Sequence, residues 1–293
     1  MYSEIAANKR KTIFLIFSFF VVIAALAAAA AWYFGDYFIT IYALVFATGY
    51  ALWSYFASGK AALAMNNAQE IQKVDNPRLW RIVENLAITN GLPMPKVYII
   101  DDPALNAFAT GRDPKHAAVA VTTGLLNILD DSELEGVMAH ELGHVQNYDI
   151  RVAMVAFGLV AVVSILSDII LRSLFWNSFG NDNKNNNVVM YVVLIIALVI
   201  APIVATFIQL SISRKREYLA DATGVLTTRY PEGLARALEK IEQNGSAMKK
   251  QNTSTAHLFI ANPLKGKTIA GMFSTHPPIQ DRIAKLRQME TKA

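Results

Sequence analysis

The sequence predicts a mainly helical α+β fold that combines four membrane-spanning helices with one extramembrane domain. Two observations predict this architecture. Apolar residues make up 54% of the chain and the mean hydropathy is +0.31, which is above the usual composition of soluble proteins. These apolar residues also concentrate in four runs that approach or exceed the length of a bilayer-spanning helix, at residues 12–34, 37–57, 152–171 and 188–212.

The apolar runs divide the chain into four parts. Residues 1–57 are predicted to form a first transmembrane hairpin and residues 152–212 a second. Residues 58–151 and 213–293 then form one domain that the second hairpin splits. A cleaved signal peptide is the alternative for the first run, because basic residues precede it and it contains alanines. The second run follows after only Gly35 and Asp36, which favours a hairpin.

The distribution of positive charge predicts the orientation of the chain. Lys and Arg are dense at residues 9–11 and 214–216 and scarce in the asparagine-rich stretch 181–187. Loops rich in Lys and Arg stay in the cytoplasm, so we expect both termini and the split domain to be cytoplasmic. Because the net charge of +4 is explained by basic residues beside the lipid bilayer, we expect no nucleic-acid partner.

The first half of the split domain shows a helix and three strands. Residues 77–90 carry apolar residues at helical spacing and end at Gly91, a helix-terminating signal. Residues 96–100 form a short β-branched run, and residues 106–110 and 117–122 are typical of a β-hairpin. An exposed hairpin edge could bind an extended peptide as an added strand. Four consecutive residues are therefore candidates for substrate binding: Asn106, Ala107, Phe108 and Ala109. A purely structural hairpin fits the pattern equally well.

Two histidines stand four residues apart at positions 140 and 144, and Glu141 directly follows the first. In a helix this spacing puts both imidazoles on one face, about 5–6 Å apart at Cβ. Both can therefore bind one metal ion, while Glu141 acts as a general base on a nearby water molecule. Ser132 and Glu135 have the spacing of a capping box, which predicts a helix start just before the motif. If this helix continues into the third apolar run, the metal site lies close to the membrane.

A second acidic pair can complete the metal site. A catalytic zinc ion takes three protein ligands, and because the chain has no cysteine these must be nitrogen or oxygen atoms. Glu217 and Asp221 are four residues apart, so both face one way from a helix. One of them can bind a single zinc ion while the other accepts a hydrogen bond from a ligand histidine. A solvated pair of carboxylates is the alternative.

Taken together, these motifs resemble the HtpX membrane zinc peptidases, which are bacterial and archaeal relatives of the CAAX prenyl protease and of mitochondrial stress proteases. The resemblance covers nearly the whole chain. It is carried by the histidine motif with Asn147 and Asp149 after it, the segment 213–221, and the sequence Phe-Ser-Thr-His-Pro-Pro at residues 273–278 with Arg282 and Leu286.

The resemblance implies a gluzincin-like cytoplasmic zinc-protease domain that is split around the second transmembrane hairpin. It implies an endopeptidase of the cytoplasmic membrane that degrades misfolded membrane proteins and can cleave itself. Zinc would be held by His140, His144 and Glu217, with Glu141 as the general base. Asp221 and Asn147 would support the ligands, and His276 would lie near the reacting carbonyl group.

Two alternatives remain at the level of the sequence. A specific processing protease that cleaves prenylated peptides would need a large intramembrane chamber, for which four spans are few. A non-catalytic zinc-holding membrane adaptor would have no need of Glu141, so the intact motif argues against it.

Overall fold

The computed structural model describes residues 2–159, 214–251, 255–264 and 277–290. Most of the third predicted span, all of the fourth and the predicted site residue His276 lie outside these ranges. The four-span architecture and the split of the domain therefore stay predictions.

Two long helices form the N-terminal part of the chain. Helix α1 spans Tyr2–Phe34 and α2 spans Phe38–Met65, so the second helix continues eight residues beyond the predicted end at 57. Gly35, with a φ of +71°, lies in the turn between them. Within the described residues, the segment Thr40–Met65 is the one helical stretch that is long and apolar enough to cross a membrane.

A four-stranded sheet lies in the part of the chain that follows α2. Its strands are β1 (Gln69–Glu70), β2 (Lys96–Ile100), β3 (Ala107–Gly111) and β4 (Ala117–Thr122), in the spatial order β1-β2-β4-β3. The predicted strand and hairpin are confirmed, with β3 antiparallel to β4. The parallel pairing of β2 with β4 and the short antiparallel strand β1 were not predicted.

The remaining helices are α3 (Pro77–Thr89), α4 (Thr123–Ile128), α5 (Asp131–Gln146), α6 (from 149, described to 159), α7 (Arg214–Thr228), α8 (Pro231–Asn244) and α9 (Ile279–Glu290). Helix α5 packs against the sheet, and α3, α7 and α8 pack around α5. Val97, Val119 and Val121 meet Val83 of α3 and Val137 of α5 in the main core. Because strand side chains alternate between faces, Phe108 and Ala120 point the other way, where they pack against Leu63 at the end of α2.

Helix α5 begins earlier than the predicted capping box indicated. Asp130 is the N-cap residue: its Oδ1 accepts a hydrogen bond from the amide of Glu133 (2.9 Å), and Glu133 Oε2 accepts one from the amide of Asp130 (2.9 Å). Ser132 already lies inside the helix, so the pairing of Ser132 with Glu135 was wrong. Glu133 is the capping partner because it lies three residues after Asp130, and Lys240 of α8 also contacts its buried carboxylate at 2.7 Å.

Helix α5 also ends before the third predicted span begins. Asn147 is its C-cap residue, and Tyr148 follows in the left-handed region with a φ of +61°. The chain then re-enters a helix at Asp149. The condition of a continuous helix from the histidine motif into the third apolar run is therefore not met, and the break turns Asp149 back toward His144.

Candidate metal centre

Three potential ligand atoms converge between α5 and α7. The Nε2 atoms of His140 and His144 lie 3.2 Å apart. Glu217 presents Oε2 at 3.7 Å from Nε2 of His140 and Oε1 at 3.6 Å from Nε2 of His144. The structure thus brings together the three residues that the sequence predicted as ligands, although 72 residues of chain lie between His144 and Glu217.

The geometry and chemistry of this donor set fit zinc. Ligand atoms that stand 2.0–2.1 Å from a tetrahedral zinc ion are about 3.3 Å from one another, close to the three distances found here. Two neutral imidazoles and one carboxylate are also a usual protein set at a catalytic zinc ion. The three residues form one cluster whose ligand atoms all lie within 4.8 Å of one another.

Each histidine is held in the tautomer that leaves its Nε2 available. Nδ1 of His140 donates to Oδ1 of Asp221 at 2.9 Å, and Nδ1 of His144 donates to Oδ2 of Asp149 at 3.0 Å. With the proton on Nδ1, the lone pair of Nε2 points at the shared centre. Such carboxylate–histidine pairs orient metal ligands and raise their basicity.

A buried arginine supports the first of these pairs. Arg282 of α9 is fully buried and donates from Nε and Nη2 to both carboxylate oxygens of Asp221, at 3.0 and 2.7 Å. Its guanidinium group also lies against the ring of His140, with Nη2 3.3 Å from Nδ1. Bidentate contacts of this kind fix a carboxylate in orientation as well as position. Helix α9 therefore takes part in orienting a residue of α5.

Charge and burial shift the pKa values of the two histidines in opposite directions. Burial and the positive charge of Arg282 lower the pKa of His140 to about 4, so its imidazole is neutral at pH 7. Burial also works to lower the pKa of His144, but the negative charges of Glu217 and Asp149 outweigh it and raise that pKa to about 9. The surroundings of His144 therefore favour a cation in the centre, whether a proton or a metal ion.

Asp221 stays ionised despite its burial. Burial alone would raise the pKa of this carboxyl group, but Arg282 and His140 lower it to about 2. The group is therefore a permanent acceptor for the Nδ1 proton of His140.

Two glycines let α5 and α7 approach closely. A Cβ atom on Gly143 would stand 3.2 Å from the carbonyl oxygen of Ala220, and one on Gly224 would stand 3.1 Å from the backbone nitrogen of His140. Contacts this short involve backbone atoms, which cannot rotate away as a side chain can. Glycine at these two positions keeps α7 near enough for Glu217 to reach both imidazoles.

Glu141 lies within the same charged centre. It is almost fully buried on α5, and its negative charge acts on His144 and on Arg282. The predicted base is thus placed beside the ligands.

The supporting position predicted for Asn147 is taken by Asp149. Asn147 is fully buried at the end of α5, and its side-chain atoms make no hydrogen bond to any residue that the structure describes. The reason is the backbone break at Tyr148, which points Asp149 rather than Asn147 at His144. Asp149 was part of the sequence motif, but no role was predicted for it. Its position five residues after His144 is the signal that could have identified it.

Asn8 of α1 also reaches this region, which no pattern in the sequence indicated. Its side-chain amide donates to Oδ1 of Asp149 and to the carbonyl oxygen of Asn147, both at 2.8 Å. Arg216 lies near the same carboxylate, with Nη1 3.5 Å from Oδ1.

The predicted peptide-binding strand is an edge strand that is partly covered. The carbonyl oxygen of Ala107 accepts a hydrogen bond from the amide of Ile260 at 3.0 Å. The side chain of Asn106 donates to the carbonyl oxygen of Ala261 at 2.8 Å and accepts from its amide at 3.1 Å. This end of β3 is thus occupied by the segment 255–264 of the chain itself.

The rest of β3 is buried as well. Phe108 is buried against Phe259, with ring centroids 4.9 Å apart, on the face of the sheet away from α5. Alternate residues of an edge strand direct their peptide groups outward, so Ala109 is the next position after Ala107 whose peptide groups point away from β4. Ala109 is itself buried. Within the described ranges no further hydrogen bond covers Ala109.

Comparison with known proteins shows the family of the chain. Residues 73–290 match the family described as peptidase family M48. The chain is 53% identical over 289 residues to a protein from Tropheryma whipplei (strain Twist) named protease HtpX homolog, covering 99% of this chain and 98% of that protein. A protein of the same name from Streptococcus uberis is 43% identical over 297 residues, covering 99% and 100%.

The fold is shared with a solved structure. The crystal structure of S. mikatae Ste24p superposes with a TM-score of 0.51 at 20% sequence identity, covering 98% of this chain and 67% of that one. At this identity the likeness concerns the fold. The family match and the full-length relatives settle the assignment: the chain belongs to peptidase family M48, a family of zinc-dependent metalloproteases.

Proposed function

We propose that this protein is a membrane-embedded zinc endopeptidase that cleaves misfolded or damaged membrane proteins at the cytoplasmic face. The observation that carries the proposal is the convergence of His140, His144 and Glu217 on one point, with Glu141 beside them. The buried carboxylate of Glu141 is not one of these three ligands. A purely structural zinc site would have no need of it.

Individual residues of the chain would have distinct roles around the metal. His140, His144 and Glu217 would hold one zinc ion through Nε2, Nε2 and the carboxylate. When bound, zinc supplies Lewis acidity that makes water a stronger nucleophile at neutral pH and stabilises negative charge on the substrate carbonyl oxygen. Glu141 accepts the proton of the attacking water on its carboxylate and passes it to the leaving amine. Asp221 and Asp149 keep the Nδ1 protons in place throughout.

His276 is proposed to donate a hydrogen bond to the developing oxyanion. This residue lies outside the described part of the chain, and the proposal rests on the sequence resemblance alone. One donor of this kind contributes about 10²–10³ in kcat.

Substrate binding is proposed along the edge of β3. An added strand obtains its affinity from backbone hydrogen bonds and is therefore tolerant of sequence, which suits cleavage of many unfolded proteins. Ala109 has no backbone partner on its outer side within the described residues, whereas Ala107 is engaged by Ile260. Because Ala109 is buried, a substrate strand would have to displace what covers it. Binding along Asn106–Phe108 would require the segment 255–264 to move.

The attachment of the site to membrane helices supports membrane proteins as substrates. Asn8 of α1 contacts the residue that supports His144, and α2 has the length and composition of a membrane span. The proposed location is the cytoplasmic membrane, with both termini inside.

The test compares the wild-type protein with Glu141→Gln in detergent with zinc, using casein as an unfolded substrate. The amide cannot take a proton, so Glu141→Gln should retain one zinc ion per chain and lose cleavage. His276→Ala should retain zinc and lose about 10²–10³ in kcat. Near wild-type cleavage by Glu141→Gln would exclude it as the base.

The same experiment separates the two alternatives. A non-catalytic adaptor would bind zinc and casein without cutting it, in the wild type as in the variant. A specific processing protease would leave casein intact and cleave only prenylated peptides.

A further inference from the structure

A cavity of about 210 Å³ lies between the end of α2 and the sheet. It is lined by Tyr55, Phe56 and Lys60 of α2, by Tyr98 of β2, and by Arg112 and Lys115 of the hairpin loop. Since Tyr98 faces away from the main core, the cavity is on the opposite face of the sheet from α5 and the metal centre. Its volume exceeds that of a few water molecules, at roughly 30 Å³ each.

The polar lining of this cavity is mainly cationic. Lys60 and Lys115 are exposed, and neither has an ion pair with another residue in the described ranges. Arg112 is only weakly paired, with Nε 3.6 Å from Oδ2 of Asp113. Lys96 also lines the cavity but is neutralised by Glu70 at 2.8 Å. Unpaired lysines that line one cavity favour the binding of an anionic ligand.

The cavity also lies at the level where a membrane surface is expected. Phe56 is close to the predicted end of the second apolar run at residue 57, and Lys60 follows it by about 6 Å of helix. The guanidinium group of Arg112 stands 5.1 Å from the centroid of the Phe56 ring. Leu52, Trp53 and Phe56 are all more than half exposed on α2, so an apolar surface runs from the cavity along the helix. Aromatic and basic residues of this kind mark the headgroup region of a bilayer.

We propose that this cavity binds the headgroup of an anionic phospholipid. Lys60, Arg112 and Lys115 surround the phosphate, and the acyl chains lie along Leu52, Trp53 and Phe56 of α2. The site rests on the proposed membrane location of the protein but not on its catalytic activity. It fixes the sheet relative to the membrane surface, on the side opposite the metal centre.

The test uses the delipidated full-length protein in a zwitterionic detergent. Native mass spectrometry measures binding of phosphatidylglycerol and of phosphatidylcholine with the same acyl chains. The wild type should prefer phosphatidylglycerol. The double variant Lys60→Gln/Lys115→Gln should bind it about fivefold more weakly for each lysine removed, and Lys60→Arg/Lys115→Arg should retain binding.

A matched control removes the same charge elsewhere. Lys73 pairs with Glu84 of α3 on the other side of the sheet, and Lys249 is exposed beside Asp102. The double variant Lys73→Gln/Lys249→Gln should keep the lipid preference. An equal loss in this control would show a diffuse charge effect and overturn the site. Equal affinity of the wild type for the two lipids would also overturn the site.

A third arm separates a lipid from a free anion. Inorganic phosphate should displace phosphatidylglycerol only at far higher concentration, because it lacks the contacts along α2. Displacement at matched concentration would overturn the lipid assignment. Melting temperature verifies that each variant is folded. Casein cleavage in lipid-free detergent should be unchanged in Lys60→Gln/Lys115→Gln, so a failure of the lipid site and a failure of the proposed peptidase activity give different results.

Discussion

The side-chain amide of Asn8 lies 2.8 Å from Oδ1 of Asp149, whose other oxygen accepts the Nδ1 proton of His144 at 3.0 Å. A residue near the start of the first helix is thus two hydrogen bonds away from a candidate zinc ligand. Asn8 is buried, so the contact depends on α1 being docked against the end of α5. The integrity of the metal centre is thereby linked to the placement of the N-terminal helix α1.

Replacing Asn8 by Ala should weaken zinc binding without touching a ligand. Loss of the amide leaves Asp149 less constrained, and we expect a several-fold rise in the zinc Kd, smaller than the roughly 10–100-fold effect typical of groups that contact ligands directly. Chelator competition on the folded protein measures it. Thr12→Val is the matched control: Thr12 is buried one turn further along α1 and donates to the carbonyl oxygen of Asn8 at 2.9 Å. An unchanged Kd in Asn8→Ala would disprove the link.

Asp149 and Asn147 should differ sharply in their effect on zinc. Asp149→Ala removes the acceptor of His144, so the zinc Kd should rise about 10–100-fold. Asn147→Ala removes a side chain without hydrogen bonds to described residues, so its zinc Kd should stay within about twofold of wild type. Metal titration of both variants at one pH gives the comparison. The reverse order would restore Asn147 to the supporting role that its sequence position suggested.

Gly224→Ala should separate α7 from α5. The new Cβ would meet the backbone nitrogen of His140 at 3.1 Å, and because neither backbone can rotate away, the helices must shift. Overpacking of this kind costs about 1–3 kcal/mol, against a gain of about 1 kcal/mol from the helix propensity of alanine. We expect a lower melting temperature together with weaker zinc binding through Glu217.

The same substitution at Gly49 is the control for Gly224. Gly49 lies in α2, and a Cβ there would have no neighbour within 4 Å, so stability and zinc affinity should not fall. If Gly224→Ala bound zinc as tightly as the wild type, close helix approach would not be what positions Glu217.

Topology is tested with single cysteines, since the chain has none of its own. Asn185→Cys lies in the predicted outer loop and should react with a membrane-impermeant thiol reagent in intact cells. Ser246→Cys lies in an exposed segment after α8 and should react only after lysis. Labelling with the opposite pattern would reverse the orientation predicted from the basic residues.

Local patterns in the sequence were enough for several helices and strands and for the types of the candidate ligands. The helix before Gly91, the strand at 96–100 and the hairpin follow from periodicity and turn residues, which act over a few positions. The four-residue spacing of His140 and His144 fixes their common face in any helix, and so does the spacing of Glu217 and Asp221. The chemistry of the site was therefore encoded within two short segments.

Tertiary structure alone decided how those segments meet and what supports them. Glu217 reaches the histidines because Gly143 and Gly224 let two helices approach, and no local pattern reports such a fit. Asp149 supports His144 only because Tyr148 adopts a left-handed backbone conformation. Asn8 and Arg282 arrive from helices more than 130 residues away in sequence from the ligands that they support. Periodicity reports which face of a helix is buried, whereas the partner on that face is set by packing across the whole fold.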